Sequence, residues 1–232
     1  MSESWDRDEF RLGATANDRR FWERIVPQQL AGKPSREQPL AIVLVGQPGS
    51  GKSRTTAALG DILGLDSFIR ADSDLFKPYH PAYGQLLGTD DQLLTSATRH
   101  DGRVWMAKAQ QYARDRRVDV LIDHTIDDLD YFRDTIWPYH DVGYRVAALF
   151  LAVPEGLSRQ GVLDRYLRQR QESGGGRLTI ASKAAASYRG ILNGADTVDG
   201  EQLAHVTAVF RRGLGEASYY NKSTLGSGGR ST

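Results

Sequence analysis

Leu40 to Val45 is an unbroken apolar run that ends directly on Gly46-Gln47-Pro48-Gly49-Ser50-Gly51-Lys52-Ser53. A segment that apolar must be covered on both faces, the condition of a central strand in a parallel sheet. The octet after it fits G-x-x-x-x-G-K-[ST], in which glycines let the backbone curl and point successive N–H groups inward at phosphate oxygens. Lys52 would reach the β- and γ-phosphates, and the Ser53 hydroxyl would ligate Mg²⁺. Residues 53–63, with Gly60 their one glycine, read as a helix, so the loop sits at a helix N-terminus. The chain is therefore expected to bind a nucleoside triphosphate.

The rest of the chain repeats the alternation. Asn17 or Asp18 is expected to cap a helix through Phe21, Trp22 and Ile25 that stops near Pro27. Short strands are expected at 67–70 and 118–122, a longer one at 144–153, and two late ones at 205–210 and 217–220. Residues 75–100 read as loop-rich, with a helix from Asp101. Helices are expected at 156–172, broken by Gly174-Gly175-Gly176, and near 181–193. This is the pattern of an α/β fold of the P-loop NTPase type, a mostly parallel sheet with helices on both faces. One domain is expected over residues 1–225, with an N-terminal helical segment at 15–32, a core at 38–220 and a disordered tail at 226–232.

Ligands in such sheets bind at the C-terminal strand ends. That picks out the 46–53 loop, Asp72 with Asp74, and Asp123 with Thr125, which should converge on one cleft. Composition narrows the chemistry further. A chain without cysteine has no thiol catalysis or thiolate metal site, and a net charge of +1 argues against a nucleic-acid partner. No stretch approaches membrane-spanning length and no apolar leader precedes Arg11, so the cytoplasm is the expected location. Asn221-Lys222-Ser223-Thr224 lacks the Asp of a guanine-reading motif.

A small-molecule kinase needs a base at the acceptor hydroxyl, ligands for Mg²⁺, and cations on the transferred phosphoryl group. Asp74, just past the second strand, is placed to take the hydroxyl proton. Arg165 and Arg177, flanking the glycine break, could close over the phosphates as a clamp. A kinase of another small metabolite or antibiotic would need the same parts. A non-catalytic module that holds a nucleotide as a structural ligand would need fewer.

Over roughly residues 38–190 the chain resembles the zeta toxins of bacterial toxin–antitoxin systems. The motifs that carry the resemblance follow the phosphate loop in order: Asp72-Ser73-Asp74-Leu75-Phe76-Lys77, His80-Pro81-Ala82-Tyr83, Asp123-His124-Thr125, Arg165-Tyr166 and Arg177-Leu178-Thr179. The family usually has Glu where Asp123 stands. Its sugar-contacting acid falls near Ala107-Lys108, neither of which is acidic. The resemblance implies an ATP-dependent kinase that phosphorylates the sugar 3′-hydroxyl of UDP-N-acetylglucosamine or a related sugar nucleotide. Lys52 and Ser53 would hold phosphate and Mg²⁺, Asp74 would be the general base, and Arg165 and Arg177 would stabilise the transition state. Asp123 and Thr125 would shape the Mg²⁺ and sugar site, with His80 beside the substrate. A small helical antitoxin would be the protein partner.

Overall fold

The computed structural model describes residues 7–126, 128–175, 179, 181–211 and 217–222. Its centre is one six-stranded sheet: β1 (Leu40–Val45), β2 (Ile69–Ala71), β3 (Val120–His124), β4 (Arg145–Ala152), β5 (Val206–Arg211) and β6 (Ala217–Lys222). The spatial order is β2-β3-β1-β4-β5-β6, parallel except for the β5–β6 pair. β1 is central, as its sequence requires. Ala41, Val43 and Val45 enter the larger core on one face, while Ile42 and Leu44 enter a second cluster with Leu121, Leu151 and Leu59 on the other.

Eight helices are described: α1 (Ala14–Arg20), α2 (Lys52–Leu63), α3 (Ser73–Phe76), α4 (Tyr83–Leu86), α5 (Asp91–Arg116), α6 (Leu129–Asp141), α7 (Glu155–Ser173) and α8 (Ala181–Gly200). α1 opens at Gly13, four residues before the expected cap, and continues as a π-helical stretch from Phe21 to Leu30, through Pro27. The wide turn accommodates the proline ring, and Ala31 N–H closes on the Val26 carbonyl. Phe21, Ile25 and Leu30 are thereby buried.

Two other helices exceed their sequence reading. α5 begins ten residues before Asp101, because the Asp90 carboxylate caps it by accepting from Leu93 N–H at 2.8 Å. α8 runs on through Gly190 and Gly194 to Gly200. A Cβ at Gly190 would stand 1.8 Å from the Ile126 carbonyl, and one at Gly194 would stand 2.3 Å from the Ile126 side chain. These glycines are seats on the chain just past β3, not helix breakers. β3 itself begins and ends two residues later than expected, so Asp123 and His124 belong to the strand.

Candidate active site

The C-terminal ends of β2, β3 and β1 lie side by side and open on a cleft of about 880 Å³. Residues 47–53 border it after β1, Asp123 and Thr125 at the end of β3, and Asp72 and Asp74 after β2. The expected convergence of these three segments is thus what the fold produces, because parallel strands in this order deliver their exits to one edge.

The loop is shaped by close packing. Gly49 and Gly51 have φ of +80° and +101°, conformations that disfavour any side chain. A Cβ at Gly49 would lie 2.0 Å from the Ser158 carbonyl of α7, and one at Gly161 would lie 2.4 Å from the Gly49 carbonyl. Loop and helix therefore meet backbone to backbone. Gln47 is a buried strut: its Nε2 donates to the Val153 carbonyl at 2.6 Å and to Ser158 Oγ at 2.8 Å. Gly46 lies behind the lining; its N–H bonds to the His124 carbonyl, and its own carbonyl accepts from Lys52 Nζ. Pro48, Ser50 and Ser53 complete the rim, with Ser53 on the first turn of α2.

Lys52 Nζ also stands 3.6 Å from Asp123 Oδ1. Burial above all, with some repulsion from the nearby Asp72 and Asp74 carboxylates, pushes the Asp123 carboxyl up to about 7 against the opposing pull of Lys52. Mg²⁺ suits this donor set. Ser53 and Asp123 offer hard oxygens, and the crowded carboxylates favour a divalent cation. Among the described residues no group of three or more His or acidic side chains holds a metal alone. The ion's remaining ligands would then be phosphate oxygens and water, the usual arrangement for Mg²⁺ at a nucleotide.

Asp72 and Asp74 have divided their tasks. Asp72 caps α3, accepting from Asp74 N–H at 2.9 Å. Asp74 faces the cleft, and its Oδ1 is held at 2.8 Å by Lys77 Nζ, a buried ammonium one turn along the chain. Arg165 reaches the cleft from α7 and donates to Thr179 Oγ1 at 3.0 Å. Arg177 lies outside the described residues.

His80 does not join them. Its side chain is 2% exposed and lies outside the cleft lining. Nδ1 accepts from Ala82 N–H at 3.2 Å, so Nε2 carries the proton and points between the Phe10 carbonyl at 3.1 Å and Asp101 Oδ2 at 3.4 Å. A ring bonded on both nitrogens within the fold joins the N-terminal segment to α5 rather than touching a substrate. In its place the cleft gains residues that sequence reasoning missed: Thr95, Arg99, Arg103 and Met106 from α5, and Tyr131 from α6. Their signal was the helical spacing of Thr95, Arg99 and Arg103, the first two of which lie where a loop was expected.

The sequence model of the zeta toxin family matches residues 26–224. A zeta toxin from Streptococcus pyogenes is 28% identical over 153 residues, covering 64% of this chain and 53% of the relative. One from Enterococcus hirae is 29% identical over 136 residues, covering 58% of this chain and 47% of the relative. The chain thus spans about half the length of the relatives it matches. A structure from the PezAT toxin–antitoxin system of Streptococcus pneumoniae superposes with a TM-score of 0.74 at 18% identity, covering 91% of this chain and 82% of that one. The AvrRxo1-ORF1:-ORF2 complex with ATP gives 0.57 at 16% identity, covering 84% and 64%. These two likenesses concern the fold. The match over 26–224 takes in the phosphate loop, the Asp72–Asp74 segment and the Asp123–Thr125 strand end alike, and on it the chain belongs to the zeta toxin family.

Proposed function

We propose that the cleft transfers the γ-phosphoryl group of ATP to a hydroxyl of a small molecule, by the reading favoured here the sugar 3′-hydroxyl of UDP-N-acetylglucosamine or a related sugar nucleotide. The observation that carries the proposal is the presence of Asp74 in the same cleft as the phosphate loop, past a neighbouring strand end. The acceptor oxygen attacks the γ-phosphorus as Asp74 takes its proton, and the bond from the γ-phosphorus to the β–γ bridging oxygen breaks to release ADP. Lys77 fixes the Asp74 carboxylate in place. Lys52 leaves the Gly46 carbonyl for the β- and γ-oxygens, and Arg165, with Arg177 beyond the glycines, neutralises charge on the group in flight. Mg²⁺, held by Ser53 and Asp123, would supply further charge neutralisation, while Thr125 borders the sugar. Membership of a toxin family, and the toxin–antitoxin system of a structural neighbour, support a small antitoxin protein as the partner that holds the cleft inactive.

The decisive experiment incubates the protein with ATP, Mg²⁺ and UDP-N-acetylglucosamine and looks by mass spectrometry for a gain of one phosphate. Asp74→Ala should lower turnover by about 10²–10⁴-fold, the usual worth of a general base, with little change in ATP affinity. Lys52→Ala should weaken ATP binding itself. Unchanged turnover in Asp74→Ala would refute the assigned base.

A further inference from the structure

α5 and α7 are the two long walls of the cleft, lining it with Thr95 and Arg99 on one side and with Arg165, Arg168 and Glu172 on the other. A glycine seats each wall on the chain just past a strand end. A Cβ at Gly102 of α5 would stand 3.0 Å from the Ser73 carbonyl, past β2, and one at Gly161 of α7 would stand 2.4 Å from the Gly49 carbonyl, past β1. From Gly102 back to Asp91 α5 climbs about 16 Å, and from Gly161 on to Ser173 α7 climbs about 18 Å. The walls therefore extend to matched lengths beyond their seats.

Their far ends meet. Gly88 stands in the turn between α4 and α5, and a Cβ there would lie 3.1 Å from the carbonyl oxygen of Gly174, the residue that caps α7, and 3.8 Å from Gly175 N. The lead-in to one wall thus touches the exit from the other, backbone on backbone. Strand ends, α5, this contact and α7 together close a ring, and a ligand that reaches from the phosphate loop to α5 lies within it. Of the three glycine contacts, this is the one that parts without unseating a helix. Gly102 and Gly161 lie inside helices, so breaking either seat lifts a wall from the strand ends. Gly88 and Gly174 lie between elements, with φ of +79° and +76°, and such element-terminal positions are where a hinge absorbs its backbone change.

We propose that the Gly88–Gly174 contact is a clasp over the cleft, and that its parting sets the rate at which a bound nucleotide leaves. The proposal rests on the nucleotide binding of the reading above, and not on phosphoryl transfer. The test follows, by stopped flow, the release of a fluorescent ADP bound with Mg²⁺ into excess unlabelled ADP. Gly88→Asp and Gly174→Asp form a matched pair: aspartate tolerates a left-handed φ better than most residues, and both variants add the same charge at the same place. Only at Gly88 does the new side chain meet its neighbour, an acceptor-only carboxylate against a carbonyl; at Gly174 a Cβ has nothing within 4 Å. Gly88→Asp should speed release at least threefold, and Gly174→Asp should stay within about 1.5-fold of wild type. The converse test closes the clasp. The chain has no cysteine, so Gly88→Cys/Gly174→Cys supplies its sole thiol pair. Joined by a short thiol cross-linker with the nucleotide in place, this protein should release it at least tenfold more slowly than the same protein left unjoined. Equal release from the two Asp variants, or no slowing in the cross-linked protein, would overturn the clasp and leave nucleotide binding standing. Failure of wild type to bind the ADP at all would instead sink the nucleotide reading, and the clasp's role with it.

Discussion

At Asp123 three effects meet: burial at the end of β3, repulsion from Asp72 and Asp74, and attraction from Lys52 at 3.6 Å. The first two win, and the carboxyl is held near 7 instead of its ordinary 3.8. The sign for stability follows. Below pH 3.8 both states are protonated and nothing is lost. Between about 4 and 7 the unfolded chain ionises while the folded one resists, so stability falls with rising pH and the full cost stands above 7. Asp123→Asn removes that cost but gives up the Lys52 attraction with it, so the net gain is only a part of it. Without nucleotide it should melt about 2–4 °C above wild type at pH 8, a gain of ~1 kcal/mol, and the difference should vanish near pH 4. A variant less stable than wild type at pH 8 would mean that the Lys52 contact dominates. The same titration makes kcat/KM rise with pH through about 7, since the ionised carboxylate is the form that binds a cation. None of this was written in the sequence beyond the identity of the residue. Spacing marks Asp123 as a strand-end acid, but its charge state depends on two other carboxylates that only the sheet order brings near. His80 failed for the opposite reason: its motif is local, and its partners at Phe10 and Asp101 are remote.

Among the helices, what counts is how closely backbones approach. Gly161 of α7 lies under the Gly49 carbonyl with no room for a Cβ, whereas Gly60 of α2 has nothing within 4 Å. The same substitution should therefore act oppositely at the two sites. Gly60→Ala should stabilise by about 0.5–1 kcal/mol, because alanine has the better helix propensity and the space is open. Gly161→Ala should destabilise by about 1–3 kcal/mol as α7 is pushed off the loop, and should weaken ATP binding with it. Chemical denaturation and nucleotide titration of the two variants would check both halves. Hydrophobic patterning found β1 and β4, since these bury apolar faces. It missed the first ten residues of α5, because the stripe that faces a polar cleft carries Thr95 and Arg99 there, and a helix half-turned to a ligand has no apolar period to find. The cap at Asp90 was the one local sign.

Across the whole molecule, the N-terminal segment holds α5 in place, and Asn17 is where it does so. Its Nδ2 donates to Asp101 Oδ1 at 2.5 Å, its Oδ1 accepts from Lys108, and its carbonyl accepts from Trp105 Nε1 at 3.1 Å. One buried residue thus grips two turns of the helix that carries Arg99 and Arg103. A helix cap, the role its position in the sequence suggested, would have been a local matter; the observed contacts join segments 84 or more residues apart. Burial alone would raise the Asp101 carboxyl, but bonds from His80, Leu12 and Asn17 more than offset it and hold it below 3.8. Asp101 therefore contributes stability above that value, lost as pH falls through its lower folded value. Asn17→Ala leaves buried Asp101 short of a donor, at a cost of about 1–3 kcal/mol, or roughly 2–12 °C in melting temperature for a chain of this size. The loss should be largest near neutral pH and shrink in acid, where Asp101 is protonated in both forms. In the enzyme assay the variant should raise KM for the acceptor more than KM for ATP, because α5 borders the Asp74 end of the cleft and the phosphate loop rests on α7. Equal changes in both constants would mean that Asn17 supports the fold alone and has no part in placing the α5 border of the cleft.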